Sequence, residues 1–402
     1  MKQDWLMSRV TQRPAVRRPS SRRVVASFYD ELIKFDWERV SERIQSKNDR
    51  DVRAALENRR CTLDDFMALV SPAAASHLPA IKNRSSQLTK RRFGNVIQMY
   101  VPMYLSNECT NICTYCGFSL NNQIKRLTLN EHEILQEAHA IKQMGFDHVL
   151  LVSGESPRNV GVDYFLTALH LLRPHFSNIA LEVQPLDEEE YRILQAAGLH
   201  SVLVYQETYN QENYRKHHLK GKKANYRHRL ETPDRLGRAE VHKIGLGILI
   251  GLEDWRTDAF FMAAHLSYLR RKYWKTRFSV SFPRLRPAEG MLEPKVVMSE
   301  SELKQLICAF RLFDENLELS LSTRERAAFR DEAINIGITS VSAGSRTDPG
   351  GYSTSSGALK QFEIDDNRTP QEVASAIRSK GFEVVWKDWD RAFDAGINAT
   401  GT

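Results

Sequence analysis

Two hydrophobic periods divide the chain. From Ser27 to about Lys90 the apolar positions recur at helical spacing, with Phe28, Leu32 and Phe35 followed by Trp37, Val40 and Ile44. The spacing predicts helical stretches there, over Asp51 to Leu56 and over Thr62 to Leu69, with proline breaks at Pro72 and Pro79. Then the period shortens. Eight short apolar or alternating runs, rich in Val, Ile, Leu and Tyr, read as strands. They are Val96–Tyr104, His148–Ser153, Ile179–Val183, Ser201–Tyr205, Leu246–Ile250, Phe278–Phe282, Glu318–Ser322 and Ile338–Ser342.

Helical patterns separate these runs. Glu131–Met144 carries an apolar stripe of Ile134, Leu135, Ala138, Ile141 and Met144, and stops at Gly145. Tyr164–Leu172, Glu188–Ala197, Pro233–Lys243, Asp258–Tyr273, Glu300–Phe313 and Arg324–Asn335 continue the alternation. Strand then helix, repeated through all eight strands, predicts an α/β fold of the (β/α)8 TIM-barrel type. The expected organisation is a leader over 1–26, an N-terminal helical segment over 27–95, the barrel over 96–343, and a C-terminal loop and extension over 344–402. The extension should hold a helix at Pro370–Lys380 and a strand-like Phe382–Trp386. The helical segment and the C-terminal loop are expected to cover the lumen.

Composition narrows the class. At 42% hydrophobic and 27% charged, the 402 residues are ordinary for a globular protein. No apolar run is long enough to span a bilayer, so no membrane partner is expected. The 57 basic and 50 acidic side chains leave a formal charge of +7. Part of that excess sits in the Pro/Ser/Arg-rich run from Arg13 to Arg23, which reads as a solvated tail. Transit peptides share that content, but Asp4 and the lack of an amphipathic face oppose the idea. Basic residues do not interleave with aromatics as on a nucleic-acid surface, so no nucleic-acid partner is expected. Five cysteines, an odd count without a hydrophobic signal segment, point to a reducing, cytoplasmic setting.

Three of the five cysteines share one run, Cys109-Thr-Asn-Ile-Cys113-Thr-Tyr-Cys116, spaced C-x3-C-x2-C. Cys61 and Cys308 are scattered and read as packed residues. A structural zinc site wants four Cys or His ligands, and the nearest histidine downstream is His132. Thiolates are the usual protein ligands of iron–sulfur clusters. Three of them on a [4Fe–4S] cube leave one iron open to a small molecule. In a barrel of this type the active site gathers at the C-terminal ends of the strands. The cysteines follow the first predicted strand, and Ser153-Gly154-Glu155 follows the second. Glu182 and Gln184 end the third, and Tyr205 and Glu207 the fourth. Gly247 and Gly251 lie along the fifth, where a missing side chain lets a flat ligand come close. Arg284 and Arg286 follow the sixth, and Arg324 the seventh.

The cysteine spacing, with Tyr115 before the third thiol, resembles the signature of the radical S-adenosylmethionine (SAM) enzymes. The resemblance implies that Cys109, Cys113 and Cys116 each hold one iron of a [4Fe–4S] cluster. The open iron would take the amino acid end of SAM. Ser153-Gly154-Glu155 stands where that superfamily has a Gly-Gly-Glu-like element for the SAM amino group, with Ser at its first position. Tyr115 is then expected beside the adenine, and Glu182 and Gln184 near the ribose or carboxylate.

Longer runs narrow the likeness. Cys109 to Ser119, Glu182-Val-Gln-Pro-Leu, Val204 to Tyr209, His217 to Lys223, Leu230 to Arg238, Val280 to Pro287, Leu319 to Glu325 and Trp386 to Asp390 resemble the 2-iminoacetate synthase family. These are the tyrosine lyases of bacterial thiazole biosynthesis, and the likeness spans about residues 27–390. It implies cleavage of the Cα–Cβ bond of L-tyrosine to 2-iminoacetate and p-cresol, with SAM reduced to 5′-deoxyadenosine and methionine. It also implies a low-potential, flavodoxin-like electron donor and association with a thiazole synthase subunit. A tyrosine carboxylate wants a planar bidentate donor, which favours arginine over lysine. Arg324 is the first candidate and Arg284 and Arg286 the second, while Tyr205 and Glu207 face the mouth for SAM or substrate. His217 and His218 read as members of a polar, Lys-rich loop.

Rival activities differ in their cysteine needs. The tyrosine lyase of [FeFe]-hydrogenase maturation and biotin-synthase-like sulfur insertion both require a second cluster, and only Cys308 follows Cys116. A tryptophan lyase would share the scaffold. A non-catalytic metal-binding scaffold would hold one zinc instead.

Overall fold

The computed structural model describes residues 27–291, 293–353 and 357–387. The basic leader and the end of the Trp386 to Asp390 run lie outside them. The strands in chain order are β1 (Val96–Ser106), β2 (Ile112–Cys113), β3 (His148–Ser153), β4 (Asn178–Glu182), β5 (Ser201–Leu203), β6 (His218–Lys220), β7 (Lys243–Gly247), β8 (Arg277–Ser281), β9 (Glu318–Leu321), β10 (Ser340–Ser342) and β11 (Glu383–Val385). Eight of them, β1, β3, β4, β5, β7, β8, β9 and β10, pair in parallel, and β10 closes on β1 with Gln98 opposite Ser340. This is the expected (β/α)8 barrel. Every residue of β3, β9 and β10 is buried, as parallel strands must be when helices cover one face and a packed lumen the other. The long β1 serves three neighbours, because β11 of the C-terminal extension pairs beside its start, Val96 opposite Glu383.

Several boundaries moved for identifiable reasons. The fifth barrel strand starts at Lys243, since Lys243 to Gly247 pairs residue for residue with Arg277 to Ser281. Ile248 and Ile250 beyond it make only single bridges, to Glu207 and Arg284. The preceding helix therefore stops at Arg238 rather than Lys243. Pro79 does not break a helix. It sits in the first turn of Leu78–Phe93, where a missing N–H costs nothing. The seventh connector is helical only over Ala327–Ala333, which leaves Arg324 on a loop. Two short helices, Gln211–His217 and Tyr226–Leu230, were not expected from the pattern.

The N-terminal helices do not cover the lumen. They pack on the barrel's outer flank. Phe28 stacks on His265 of helix Trp255–Lys272 at 4.0 Å, and Phe66 meets Phe310 of helix Glu300–Phe313 at 4.9 Å. Of the two flanking segments, as far as they are described, the C-terminal one reaches over the mouth: Ser345, Thr347, Gln361 and Phe362 line the clefts described below.

Candidate active site

The loop after β1 is held by its own backbone carbonyls. Arg126 donates to the carbonyls of Asn107, Phe118 and Ser119, each at 2.8 Å. Asn107 bonds the carbonyl of Lys125 at 2.9 Å and accepts from the N–H of Leu127 at 2.7 Å. The loop is thus fixed at both ends while its cysteines face inward. Cys113 lies on β2, which pairs antiparallel with β6, where His218 is its partner. Tyr115 Oη and His218 Nε2 share a 2.7 Å hydrogen bond, and His218 stacks on Tyr214 at 3.8 Å. His218 is buried, and burial pulls its pKa well down, so the ring is neutral. It braces the loop rather than joining a solvated surface.

Cys109, Cys113 and Cys116 line one cleft. Burial raises all three thiol pKa values. An electron-poor metal is what would hold them as thiolates. Among the described residues no group of three or more His, Cys, Asp or Glu is arranged to hold a single metal ion. Gln361 Nε2 lies 3.8 Å from Cys116 Sγ, a hydrogen bond of the kind that tunes cluster thiolates. Gly154 is packed against this loop: a Cβ there would sit 2.2 Å from the Glu108 carbonyl oxygen. Beside it Ser153 Oγ is buried without a hydrogen-bond partner among the described residues, as a cradle for a polar ligand would be.

A buried charge network forms the next wall. Arg229 Nη1 bonds Glu155 at 2.9 Å, and Arg229 Nη2 approaches Glu207 at 3.4 Å. Lys223 Nζ bonds the same Glu207 oxygen at 2.8 Å, and Asn111 donates to the second oxygen of Glu155 at 2.8 Å. Burial alone would push Glu155 up, but Arg229 and Lys223 outweigh it and hold its carboxyl below the usual range. Glu207 has φ 70°, a left-handed conformation that costs a non-glycine residue about 1–3 kcal/mol. The bond from Leu249 N–H to the Glu207 carbonyl at 2.8 Å holds it there.

Behind this wall a second cleft runs into the lumen. Val152, Glu182, Tyr205, Pro283, Arg324 and Phe362 line both clefts. The inner one adds Tyr100, Tyr104 and a set of hydroxyls including Ser281, Ser320 and Ser342. Arg324 stands at the junction. Its guanidinium lies 3.4 Å over the Phe362 ring, and its one hydrogen bond among the described residues is a 3.4 Å contact with the Arg284 carbonyl. Among the described residues no carboxylate lies within ion-pair distance of it. Burial pushes Glu182 up to about 7, although the nearby Arg324 opposes this.

The structure gathers the cysteines, Tyr115, Ser153, Gly154, Glu155, Glu182, Tyr205, Glu207, Arg286 and Arg324 around these clefts. It sets four expected residues apart. Gln184 points away, donating to the Val160 carbonyl at 2.6 Å. Arg284 is spent on Glu325 and on the Met298 carbonyl at 2.8 Å. Gly247 and Gly251 lie beneath Tyr205 and Leu285, where a Cβ would come within 2.6 Å and 2.8 Å of those side chains. Their smallness serves packing of the wall, not direct approach of a ligand. Arg286 lines the cleft but pairs with Glu325 and Asp365. Pattern reading missed Lys223, Arg229, Gln361 and Phe362. The first two lie in the Lys/Arg-rich stretch after β6, and that local excess of cations next to an invading loop was the available signal.

Comparison with known proteins follows the same outline. Residues 103–262 match the radical SAM superfamily, and residues 281–383 match the biotin and thiamin synthesis associated domain. The chain is 53% identical over 365 residues to a 2-iminoacetate synthase of Escherichia coli (strain K12), covering 90% of this chain and 97% of that protein. It is 52% identical over 365 residues to a 2-iminoacetate synthase of Salmonella typhimurium (strain LT2), with the same coverage. The crystal structure of HydG, a maturase of the [FeFe]-hydrogenase, superposes with a TM-score of 0.80 at 26% identity, over 91% of this chain and 82% of that one. Methylornithine synthase (PylB) shares the fold at a TM-score of 0.67 and 19% identity, over 86% of this chain and 99% of that one.

Proposed function

The chain belongs to the 2-iminoacetate synthase family of radical SAM enzymes, and we propose that it cleaves L-tyrosine between Cα and Cβ, releasing 2-iminoacetate for thiazole assembly and p-cresol. The observation that carries this reading is the guanidinium of Arg324, without a carboxylate partner among the described residues and set where the thiol-lined cleft opens into a lumen of hydroxyls and aromatic rings.

Held by Cys109, Cys113 and Cys116, a [4Fe–4S] cluster with SAM would supply hydrogen-atom abstraction, with SAM leaving as methionine and 5′-deoxyadenosine. The rest is the work of side chains. Glu155 keeps acceptor capacity beyond its bonds to Arg229 and Asn111, and Ser153 Oγ is unspent, so both suit the amino group of SAM. Tyr115 and Glu182 line the same cleft, where Tyr115 would hold the adenine and Glu182 the ribose or carboxylate. Arg324 grips the tyrosine carboxylate through two parallel hydrogen bonds. That orients the amino group toward the first cleft and sends the phenol ring into the lumen between Tyr104 and Ser320. Phe362 and Gln361 close the mouth and exclude water, which would quench radical chemistry. A low-potential electron donor, a thiazole synthase subunit and a cytoplasmic setting complete the proposal.

Cys308 lies buried in helix Glu300–Phe313, with Sγ 3.7 Å from the Ile336 carbonyl. It is far from a role as ligand to a second cluster, which argues against the hydrogenase-maturation chemistry. The deciding experiment reconstitutes the protein anaerobically with iron and sulfide and adds reductant, SAM and tyrosine. Four irons per chain, with p-cresol matching 5′-deoxyadenosine, is the expected result. One zinc per chain and intact SAM would overturn the proposal.

A further inference from the structure

Outside the cleft, the cluster loop meets the surface at an unusual place. β6 runs antiparallel to β2, with His218 opposite Cys113 and Lys220 opposite Ile112. One strand spacing, about 4.8 Å, therefore separates the β6 backbone from that of a cysteine in the loop. Between those two residues Leu219 turns outward and is 60% exposed. Leu120, 42% exposed, is tied to the same spot, since its N–H donates to the Asn111 carbonyl at 2.8 Å. Cations surround the two leucines. Arg215, Lys216, Lys220 and Lys222 are all exposed. Lys216 pairs with the exposed Glu212 at 2.8 Å, while among the described residues Arg215, Lys220 and Lys222 have no ion pair. The nearby Glu253 is buried and taken up by Lys295.

This surface is rigidly mounted on the loop. Gly221 has φ +90°, and a Cβ there would fall 2.0 Å from Asn111 Oδ1. Thr114 N–H donates to the His217 carbonyl at 3.1 Å, and Lys223, two residues past Gly221, turns inward to Glu207. Among the described residues, then, Leu219 and Leu120 present apolar surface to solvent, and the charges of Arg215, Lys220 and Lys222 are not taken up by an ion pair. An apolar centre with a cationic rim is the complement of an acidic protein surface.

We propose that the outer face of β6, centred on Leu219 and rimmed by Lys220, Lys222 and Arg215, is the docking surface for an acidic, low-potential flavoprotein that delivers electrons to the cluster. The proposal rests on the cluster assignment made under Proposed function. In each transfer one electron leaves the partner's reduced flavin, which is oxidised by one electron, and the cluster gains that electron; no atom moves. Electron-transfer partners bind through small interfaces, below about 1,200 Å², so one apolar contact and a few charges suffice. Exposed charges act mainly on the association rate and are screened by salt.

The test uses oxidised, FMN-bound flavodoxin as the probe and the reconstituted enzyme as the receptor. Affinity is measured by calorimetry at low and high salt, and SAM cleavage is driven separately by dithionite and by reduced flavodoxin. For the native protein, affinity should fall with salt. Lys220→Glu with Lys222→Glu should weaken it by roughly tenfold and flatten the salt dependence. Leu219→Asp should weaken binding as well, whereas Lys90→Glu with Arg92→Glu on helix Leu78–Phe93 should not. Cleavage driven by dithionite should be unchanged in the β6 variants, while cleavage driven by flavodoxin slows in step with affinity. The neutral pair Lys220→Gln with Lys222→Gln should give an intermediate loss, and it serves if charge reversal prevents folding. Unchanged flavodoxin affinity in both pairs overturns the proposal. So does a β6 variant that alters only self-association in sedimentation. Failure of dithionite-driven cleavage in the native protein would instead strike the cluster assignment.

Discussion

At the N-terminal floor of the barrel, Lys243 Nζ bonds one oxygen of Glu318 at 2.9 Å and Arg277 reaches the other at 2.8 Å. Gln98 and His148 share a 2.8 Å hydrogen bond beside them. At the C-terminal mouth, Arg324 has no carboxylate partner among the described residues, and the Glu182 carboxylate has no hydrogen bond among them either. The two ends treat the same residue type in opposite ways. Glu318 is held below the usual range, because Lys243 and Arg277 outweigh its burial. Glu182 is pushed up to about 7, because burial outweighs Arg324. The floor's charges are complete before any ligand arrives. At the mouth Arg229 and Lys223 already pair Glu155 and Glu207, but Arg324 and Glu182 have no ion pair among the described residues, which fits a barrel whose stability and chemistry lie at opposite ends.

The sharpest break of that comparison is to remove the mouth's thiols. Cys109→Ala, Cys113→Ala or Cys116→Ala should abolish iron retention and SAM cleavage together. Cys308→Ala, in a helix on the barrel's flank, should keep both. Iron content and 5′-deoxyadenosine yield are the measurements, and iron loss on changing Cys308 would make the three-ligand assignment wrong.

A paired experiment on charges comes next. Glu318→Ala leaves Lys243 buried without its partner, and such a break typically costs about 3–5 kcal/mol of stability. Activity per folded molecule should be intact. Arg324→Ala should do the reverse. Tyrosine affinity should fall by about 2–5 kcal/mol, since the carboxylate loses its charged partner. Stability should barely change, and SAM should still be cleaved without matching p-cresol. Denaturant melts and a tyrosine titration separate the two. Equal stability losses, with tyrosine affinity untouched in Arg324→Ala, would erase the distinction between floor and mouth.

The floor and the strand order were largely legible in the sequence, because they obey period. His148 to Ser153 and Glu300 to Phe313 fall where the apolar pattern put them. The thiols, Glu155 and Arg324 were legible because strand ends mark the mouth. Arg229 and Lys223 were not, since they reach the site from the stretch after β6, and tertiary folding alone brings that stretch against Glu155 and Glu207. Phe362 and Gln361 come from a segment without periodicity, so nothing local ties them to Arg324 and Cys116. Gly247 and Gly251 misled for a related reason: a glycine reports close approach without saying what approaches.

The smallest effect sharpens the contrast between the two glutamates. Glu182 titrates near 7 when folded and near 4.5 in an ordinary environment. The folded state therefore holds the proton more tightly, and by linkage stability must fall as pH rises through that window. Glu318, with its pKa lowered, carries the opposite sign and loses stability only in acid. The groups acting on Glu182 are Arg324, Glu207, Lys223 and Arg229, and Arg324 comes first among them. Glu182→Gln should thus make the ligand-free protein more stable at pH 8 than the native chain, with the two converging near pH 4.5. The gap should be on the order of 1–3 kcal/mol. Arg324→Ala removes the chief opposing cation, so in that background the stability difference made by Glu182→Gln should still begin near pH 4.5 but keep growing to higher pH. Melting temperatures across pH 4.5 to 8 measure this. Parallel curves for the native chain and Glu182→Gln would mean that the mouth's carboxylate is as fully satisfied as the floor's.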